Sequence, residues 1–410
     1  MRLKVESLAG GGRGVAHSGG RVWFVAGALP GEEVEAELEG ERAGVIEARV
    51  RTVYRPSLMR EKDPCPAAGV CGGCDLAHLR REGAKDALRA ILTGALRHSP
   101  PELAAAVARA PVIISPMAWR VRARLHWDPE SQVLGFFSPR SYQAIDISPC
   151  RVVSQLLLAT LPEMRAALLN ARLGVGEVAW LENLEAETAV AGWSGGGNPP
   201  RQPAGALAGW HPLTEAGAIR RGGWGKQGVV MNLPVQLRVP LGAFFQGNRH
   251  LVPKLFARVA EIVATLRPTT VVDLFGGVGC LAAAARHGGA GQLVVVEAQR
   301  SAARAAVENL PGADVQAVEA EEYLAAPAPP AGTLAILDPP RSGLSPTARQ
   351  RLVAWAPDGV LWLSCDPAAF GRDAAELLAA GYRLESLEIW DLFAGSHHAE
   401  TLALLRRGKR

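Results

Sequence analysis

The hydrophobic rhythm of the chain changes twice. Residues 21–40, RVWFVAGALPGEEVEAELEG, alternate apolar and polar positions on both sides of a glycine- and proline-bearing turn, and VIEARVRTVY continues with the same period of two. About five short strands within residues 1–57 predict an OB-like β-barrel, an architecture that often binds nucleic acid. The acidic run from Glu32 to Glu41 reads as a solvated strand face, not a phosphate contact. From about residue 241, apolar strands alternate with helices: TTVVDLF, GGVGCLAAAARHG, LVVVE, SAARAAVENL, TLAILDPPR and GVLWLSCDP. That order predicts a doubly wound, mostly parallel α/β sheet. The last stretch, LESLEIWDLFAGSHHAETLALLRR, reads as two strands added antiparallel at one sheet edge.

Between these regions, residues 58–240 look irregular, a small α+β middle domain. LRREGAKDALRAILTGALRHS reads as a helix, and AGWSGGGNPPRQPAG, residues 191–205, as a structureless loop. WRVRARLHW alternates cleanly, so Arg120, Arg122, Arg124 and His126 share one strand face. Three arginines so placed fit a phosphate track or, equally, an edge strand carrying solubilising charge. The expected organisation is therefore 1–57, 58–240 and 241–410, without internal repeats.

Composition narrows the class. Two or three domains fit 410 residues. A hydrophobic share of 48% and a charged share of 20% exclude a disordered chain, and scattered glycines and prolines exclude collagen. No charge-free apolar run reaches the ~18 residues of a membrane span. MRLKVESLAGGG lacks the apolar core of a signal peptide. A soluble cytoplasmic protein with no membrane and no obligate protein partner is expected. The net charge of +4 hints weakly at an anionic partner, while the excess of arginine over lysine reads chiefly as a GC-rich genome.

The chemistry concentrates in a few motifs. Asp273-Leu-Phe-Gly276-Gly277-Val-Gly279 is a glycine turn entering a helix, and Glu297 ends the next strand, 24 positions after Asp273. Such a turn accepts a ligand close to backbone N–H groups, and such an acid accepts ribose hydroxyls. The pattern fits NAD or S-adenosylmethionine alike. Asp338-Pro-Pro-Arg341 and Ser364-Cys365-Asp366-Pro367 follow two further strands, so Asp338 and Cys365 fall on the same ligand-binding sheet edge. There Cys365 reads as a nucleophile, and Cys280 as a pocket wall. Cys65, Cys71 and Cys74 cluster tightly, and Cys150 is available as a fourth thiol; four thiolates suit zinc or a [4Fe–4S] cluster.

Together these motifs resemble the class I RNA uracil-5-methyltransferase family, of the 23S rRNA 5-methyluridine type, over nearly the whole chain. FVAGALPGEEV resembles its TRAM domain and CPAAGVCGGC with Cys150 its iron–sulfur segment. FFQGN, DLFGGVG, DPPR, SCDP and SHHAE resemble its catalytic motifs, in order. The resemblance implies an S-adenosylmethionine-dependent class I methyltransferase domain acting on RNA, with a 23S rRNA loop or single strand favoured over tRNA. It implies Cys365 as the nucleophile that adds to uracil C6 and Glu400, beside His398, as the base. Gln246, Phe275, Gly277, Glu297, Glu319 and Asp338 would line the cofactor and target-base pocket. Cys65, Cys71, Cys74 and Cys150 would hold [4Fe–4S]; Arg120, Arg122 and Arg124 would hold flanking RNA. Four positions depart from the family pattern: Asp366 for asparagine, Ala394 for proline, Ser396 for threonine and Tyr142 for histidine. A tRNA methyltransferase, a non-catalytic iron–sulfur RNA-binding protein and a zinc-bearing oxidoreductase are the competing readings.

Overall fold

The structure, a computed structural model, describes residues 1–62, 65–197 and 207–408. The N-terminal unit holds β1 (Arg2–Lys4), β2 (Ser7–Ala9), β3 (Arg13–Ser18), β4 (Arg21–Ala26), β5 (Glu33–Arg42) and β6 (Val45–Arg55). They form one six-stranded sheet in the order β1-β5-β6-β4-β3-β2 around a small core of Leu3, Val5, Val25 and Val34. Period-two patterning produces this result because each strand buries one face only. Glu32, inside the acidic run, is wholly buried: it accepts from Leu29 N and from the Arg60 guanidinium, which ties the unit to the following segment.

Next come helices α1 (Ala84–Ala95) and α2 (Pro101–Arg109) and strand β7 (Val112–Ile113). α1 falls within the stretch expected to be helical. It and α2 nevertheless pack with the C-terminal sheet: Leu88, Leu92, Leu96, Leu103 and Val107 share a core with Val272, Leu274 and Leu337.

The segment expected to be irregular contains β8 (Arg122–Asp128), β9 (Val133–Phe137), β10 (Ala144–Asp146), α3 (Gln155–Asn170), β11 (Gly176–Glu182), β12 (Ala189–Gly195), β13 (Leu207–Pro212) and β14 (Trp224–Gly225). These strands make a seven-stranded sheet, β10-β9-β8-β11-β12-β13-β14. Its core is built on Trp127, Trp180, Trp193 and Trp210, all fully buried. Much of the expected loop at 191–205 is therefore ordered as the end of β12, and residues 198–205 of it lie outside the described residues. A hairpin, β15 (Gly228–Asn232) and β16 (Gln236–Pro240), leads to the last unit.

That unit holds α4 (Val252–Leu266), β17 (Thr270–Leu274), α5 (Cys280–His287), β18 (Gln292–Val296), α6 (Arg300–Asn309), β19 (Asp314–Gln316), α7 (Ala320–Tyr323), β20 (Thr333–Leu337), α8 (Pro346–Trp355), β21 (Gly359–Ser364), α9 (Pro367–Ala379), β22 (Tyr382–Trp390) and β23 (Glu400–Arg407). The sheet order is β19-β18-β17-β20-β21-β23-β22-β7. β17 through β21 run parallel to one another, while β23 is antiparallel to both β21 and β22. The winding direction reverses between β17 and β20, so a crevice opens where their carboxyl ends diverge. No helix among the described residues is long and apolar enough to cross a membrane.

Candidate active site

DLFGGVG, DPPR and SCDP each sit at the carboxyl end of a strand, while Glu400 of SHHAE opens β23. β17 delivers Asp273 and then Phe275, Gly277 and Gly279, all with positive φ (66°, 55° and 86°). Glycine suits two of those positions; Phe275 holds a left-handed conformation that few bulky residues adopt. At the end of β18, Glu297 accepts from Gly277 N at 2.9 Å and Gln299 N at 2.6 Å. Its carboxylate thus fastens the glycine turn. Asp273 Oδ2 accepts from Ala282 N at 3.0 Å, and Oδ1 has no partner. Burial pushes the Asp273 carboxyl up to about 8, aided by the charges of Asp338 and Glu297.

A cavity of about 40 Å³ gathers Gln246, Asp273, Phe275, Gly277, Cys280 and Asp338. Gln246 Nε2 donates to Asp338 Oδ2 at 3.2 Å, which orients the carboxyl at the end of β20. Burial still raises Asp338 to about 7. Cys280 is a wall of the cavity whose thiol burial pushes up to about 12, which keeps it a neutral thiol. Beyond Phe275 lies a wider cavity of about 490 Å³ bordered by Glu319, Ser342, Gly343 and Arg372. Glu319 is exposed there and stands at the N-terminus of α7.

Cys365 follows β21, half-buried, and Glu400 opens the neighbouring β23. Glu400 is wholly buried and neither carboxyl oxygen has a hydrogen-bond partner. Burial raises its pKa well above the carboxylate norm; Asp338 raises it further and Arg341 opposes the shift. Burial, then the charges of Glu400 and Asp338, push the Cys365 thiol up to about 12, again against Arg341. Cys365 is therefore held as a thiol, not the partly ionised group its residue type suggests. Burial also holds His398 down at about 4, so it is a neutral imidazole at physiological pH. The departures from the family pattern are absorbed locally. Asp366 caps α9 by accepting from Ala369 N, Ala394 O accepts from Trp119 Nε1, and Ser396 Oγ donates to Phe393 O. Tyr142 is almost fully exposed, edge-on to Phe137.

The four clustered thiols meet. Cys65, Cys71, Cys74 and Cys150 line one cavity of about 110 Å³, although they come from two segments some 75 positions apart. Gly73 N donates to Cys71 Sγ at 3.4 Å, and Val152 and Val153 donate backbone N–H groups to Cys150. Burial and the other thiols raise Cys71, Cys74 and Cys150, with Cys74 at about 12. Sulfurs that resist ionising together, yet receive N–H donors, suit a cationic group between them. Among the described residues no three ligating side chains converge on a single-ion position.

The three arginines do not share one environment. Arg124 is exposed and pairs with Glu177. Arg122 lies over the exposed ring of Phe244 at 5.5 Å. Arg120 precedes β8, bridged to Val153 and Asn248, and turns toward the thiol cavity, over Phe136 at 5.0 Å and Trp119 at 5.5 Å. Alternation holds for Arg122 and Arg124 within β8 but not for Arg120, and it does not reveal these partners. The sequence pattern does not single out Arg341, whose charge acts on Cys365 and Glu400, or Asp75, which pairs with His397; only proximity in space reveals them.

No family model matches the chain. The chain is 32% identical to the 23S rRNA (uracil(1939)-C(5))-methyltransferase of Pseudomonas fluorescens, covering 98% of this chain and 91% of that protein. It is 32% identical to the protein of the same name from Halomonas elongata, covering 98% and 89%. In fold it is similar to the Pyrococcus abyssi tRNA (uracil-54, C5)-methyltransferase in complex with S-adenosyl-L-homocysteine. That match has a TM-score of 0.79 at 21% identity, over 99% of this chain and all of that one.

Proposed function

This chain belongs to the 23S rRNA (uracil-C5)-methyltransferase family, and from that premise we propose that it methylates a uridine of 23S rRNA at C5 through a covalent adduct on Cys365. The observation that carries the proposal is the common neighbourhood of Cys365, Glu400 and Asp338 at the ends of adjacent strands. The glycine turn of β17, Glu297, Gln246 and Phe275 would hold S-adenosylmethionine, which supplies an electrophilic methyl group on a sulfonium.

Uracil C5 is a weak nucleophile, and splitting one difficult step into easier ones is what a covalent residue achieves. The Cys365 sulfur bonds to C6 while the C5–C6 π electrons move onto the O4 enolate. Asp338, kept partly protonated by burial, and its partner Gln246 would hydrogen-bond that oxygen and the base edge. C5 then takes the methyl group, and the sulfonium S–C bond breaks. Glu400 accepts the C5 proton; the C–H electrons restore the C5–C6 double bond and expel the Cys365 thiolate. Because burial leaves Cys365 a thiol and Glu400 a carboxylic acid, both must lose their protons to solvent before the sulfur adds and the carboxylate takes the C5 proton; the charges of Arg341 and of the sulfonium would favour that loss.

The N-terminal sheet is read as a TRAM, OB-like RNA-binding module, and the four thiols as ligands of a [4Fe–4S] cluster. Four thiols lining one cavity suit such a cluster as they suit zinc, and the resemblance of CPAAGVCGGC with Cys150 to an iron–sulfur segment favours the cluster. Arg122 and Arg124 would contact phosphates beside the target, with Arg120 serving the thiol site. The target uridine must be flipped out of any stack, at a cost of a few kcal/mol.

Cys365→Ala tests the nucleophile: neither methyl transfer nor a denaturation-resistant RNA adduct should remain. Glu400→Gln should instead accumulate the methylated adduct. Normal turnover by either variant sinks the mechanism, and RNA binding without tritium release from C5-labelled uridine favours a non-catalytic protein. Methylation of tRNA transcripts in preference to 23S rRNA fragments would reassign the substrate.

A further inference from the structure

The loop that delivers Glu400 rests on the thiol segment. Asp75, next to Cys74, accepts the backbone N–H of His397 at 2.7 Å through Oδ1, and its Oδ2 meets His397 Nδ1. Leu76 N donates to Gly395 O at 3.0 Å. Gly395 has φ +91°, and a Cβ there would lie 3.3 Å from Cys74 Sγ, so this glycine lets the loop settle against the sulfur. On the other flank, Asn248 Nδ2 donates to Leu392 O at 3.0 Å, and Trp119 Nε1 to Ala394 O at 3.0 Å. Only His398 and Ala399 separate His397 from Glu400.

Glu400 has no hydrogen bond of its own to fix its carboxyl. Its position is therefore set by its backbone. Within β23 its backbone pairs with Trp390 of β22, and Thr401 pairs with Ser364 of β21. On the N-terminal side, beyond the local bond from His398 N to Ser396 Oγ at 3.3 Å, the nearest side chain from a distant segment that fixes the loop is Asp75. We propose that Asp75 is a positioning residue that couples the four-thiol segment to the base, so that an intact thiol site sets the proton-removal step. The inference rests on the reading of Glu400 as the base and of the thiols as a cluster site.

The test uses the full chain carrying its cluster, with Asp75→Ala, Asp75→Asn and His397→Ala. For Asp75→Ala the expectation is unchanged visible cluster absorbance, RNA affinity within about twofold of wild type, and kcat lowered about 10–100-fold. The covalent methylated RNA adduct should accumulate, because addition and methyl transfer precede the impaired step. Asp75→Asn keeps an acceptor for the His397 N–H and should recover part of the rate. His397→Ala, which leaves the thiol segment untouched, should slow turnover less but with the same adduct; it decides the matter if Asp75→Ala loses its cluster. Wild-type kcat in both alanine variants overturns the proposal, as does slowed turnover with weakened RNA binding and no adduct. Glu400→Gln run alongside separates the failures: if it traps no adduct, the base assignment has failed, not the clamp.

Discussion

Glu400 is a group that the fold would do better without. Its carboxyl is fully buried, has no hydrogen-bond partner and stays protonated well above the usual carboxylate range. Leaving a buried polar group unpaired costs about 1–3 kcal/mol. Glu400→Leu, similar in length and apolar, removes that cost. For a cooperative unit of roughly 150–250 residues each kcal/mol moves Tm by roughly 2–4 °C, so the variant should melt about 2–12 °C higher. The sign with pH follows from the raised pKa. Where the unfolded chain ionises Glu400 and the folded chain does not, wild type loses stability as pH rises, so the gain should be larger at pH 8 than at pH 5. Activity should move oppositely: loss of a general base costs about 10²–10⁴-fold, or about 3–5 kcal/mol of barrier. Scanning calorimetry at the two pH values, beside single-turnover tritium release from C5-labelled uridine, measures both. A variant that melts at or below wild type at pH 8 would refute the reasoning, because the carboxyl would then be contributing to the fold.

Asp273→Asn should flatten the pH dependence of Tm: a carboxyl raised to about 8 takes stability from wild type progressively from about pH 4 to pH 8, and an amide does not. The difference in Tm between the two proteins across that window is the measurement, and a constant difference refutes it. Gly135→Ala places a Cβ 1.8 Å from Ile145 O, where β9 pairs with β10 just ahead of Cys150. It should cost about 1–3 kcal/mol or more and lower iron content after anaerobic reconstitution; normal iron and Tm would show the strand pair to be yielding. Binding of the cationic S-adenosylmethionine should release protons from Asp338 and Asp273, so its calorimetric enthalpy at pH 7.5 should vary with buffer ionisation more than that of the neutral thioether S-adenosylhomocysteine. Equal proton release by the two ligands would rule this out.

Period-two and strand–helix alternation made the two ends of the chain legible because those segments bury one face per strand or bury every strand fully. β17, β18, β20 and β21 fall where TTVVDLF, LVVVE, TLAILDPPR and GVLWLSCDP predict them, and β22 and β23 where LESLEIWDLFAGSHHAETLALLRR does; no such segment predicts the three-residue β19. The middle sheet was hidden for a physical reason. β11 and β12, GEVAWLE and AVAGWSG, bury residues on both faces and carry glycines, so they show neither alternation nor an unbroken aliphatic run. At Gly176, Gly192 and Gly195 an added Cβ would meet Trp193 or Leu213 within 2.6 Å; there the glycines make room for large neighbours and do not mark a loop. The placement of α1 and α2 on the C-terminal core likewise depends on contacts more than 150 positions distant in sequence.

At the site, residue types were legible and their electrostatics were not. Cys365 reads from the sequence as an ordinary, partly ionised thiol, yet burial and then the charges of Glu400 and Asp338 push it to about 12. The carboxyls of the site explain why such crowding is workable. Burial raises all three, Asp338, Glu400 and Asp273, and so favours keeping protons on them; Asp338 raises Asp273 and Glu400 further, and Arg341 is the cation that opposes the shifts of Cys365 and Glu400. A sulfonium ligand brings a second positive charge, which favours releasing those protons and ionising the sulfur. Charge crowding that weakens the empty enzyme thus becomes selectivity for a cationic methyl donor, and a sequence that names each carboxyl separately cannot display a property that belongs to all of them together.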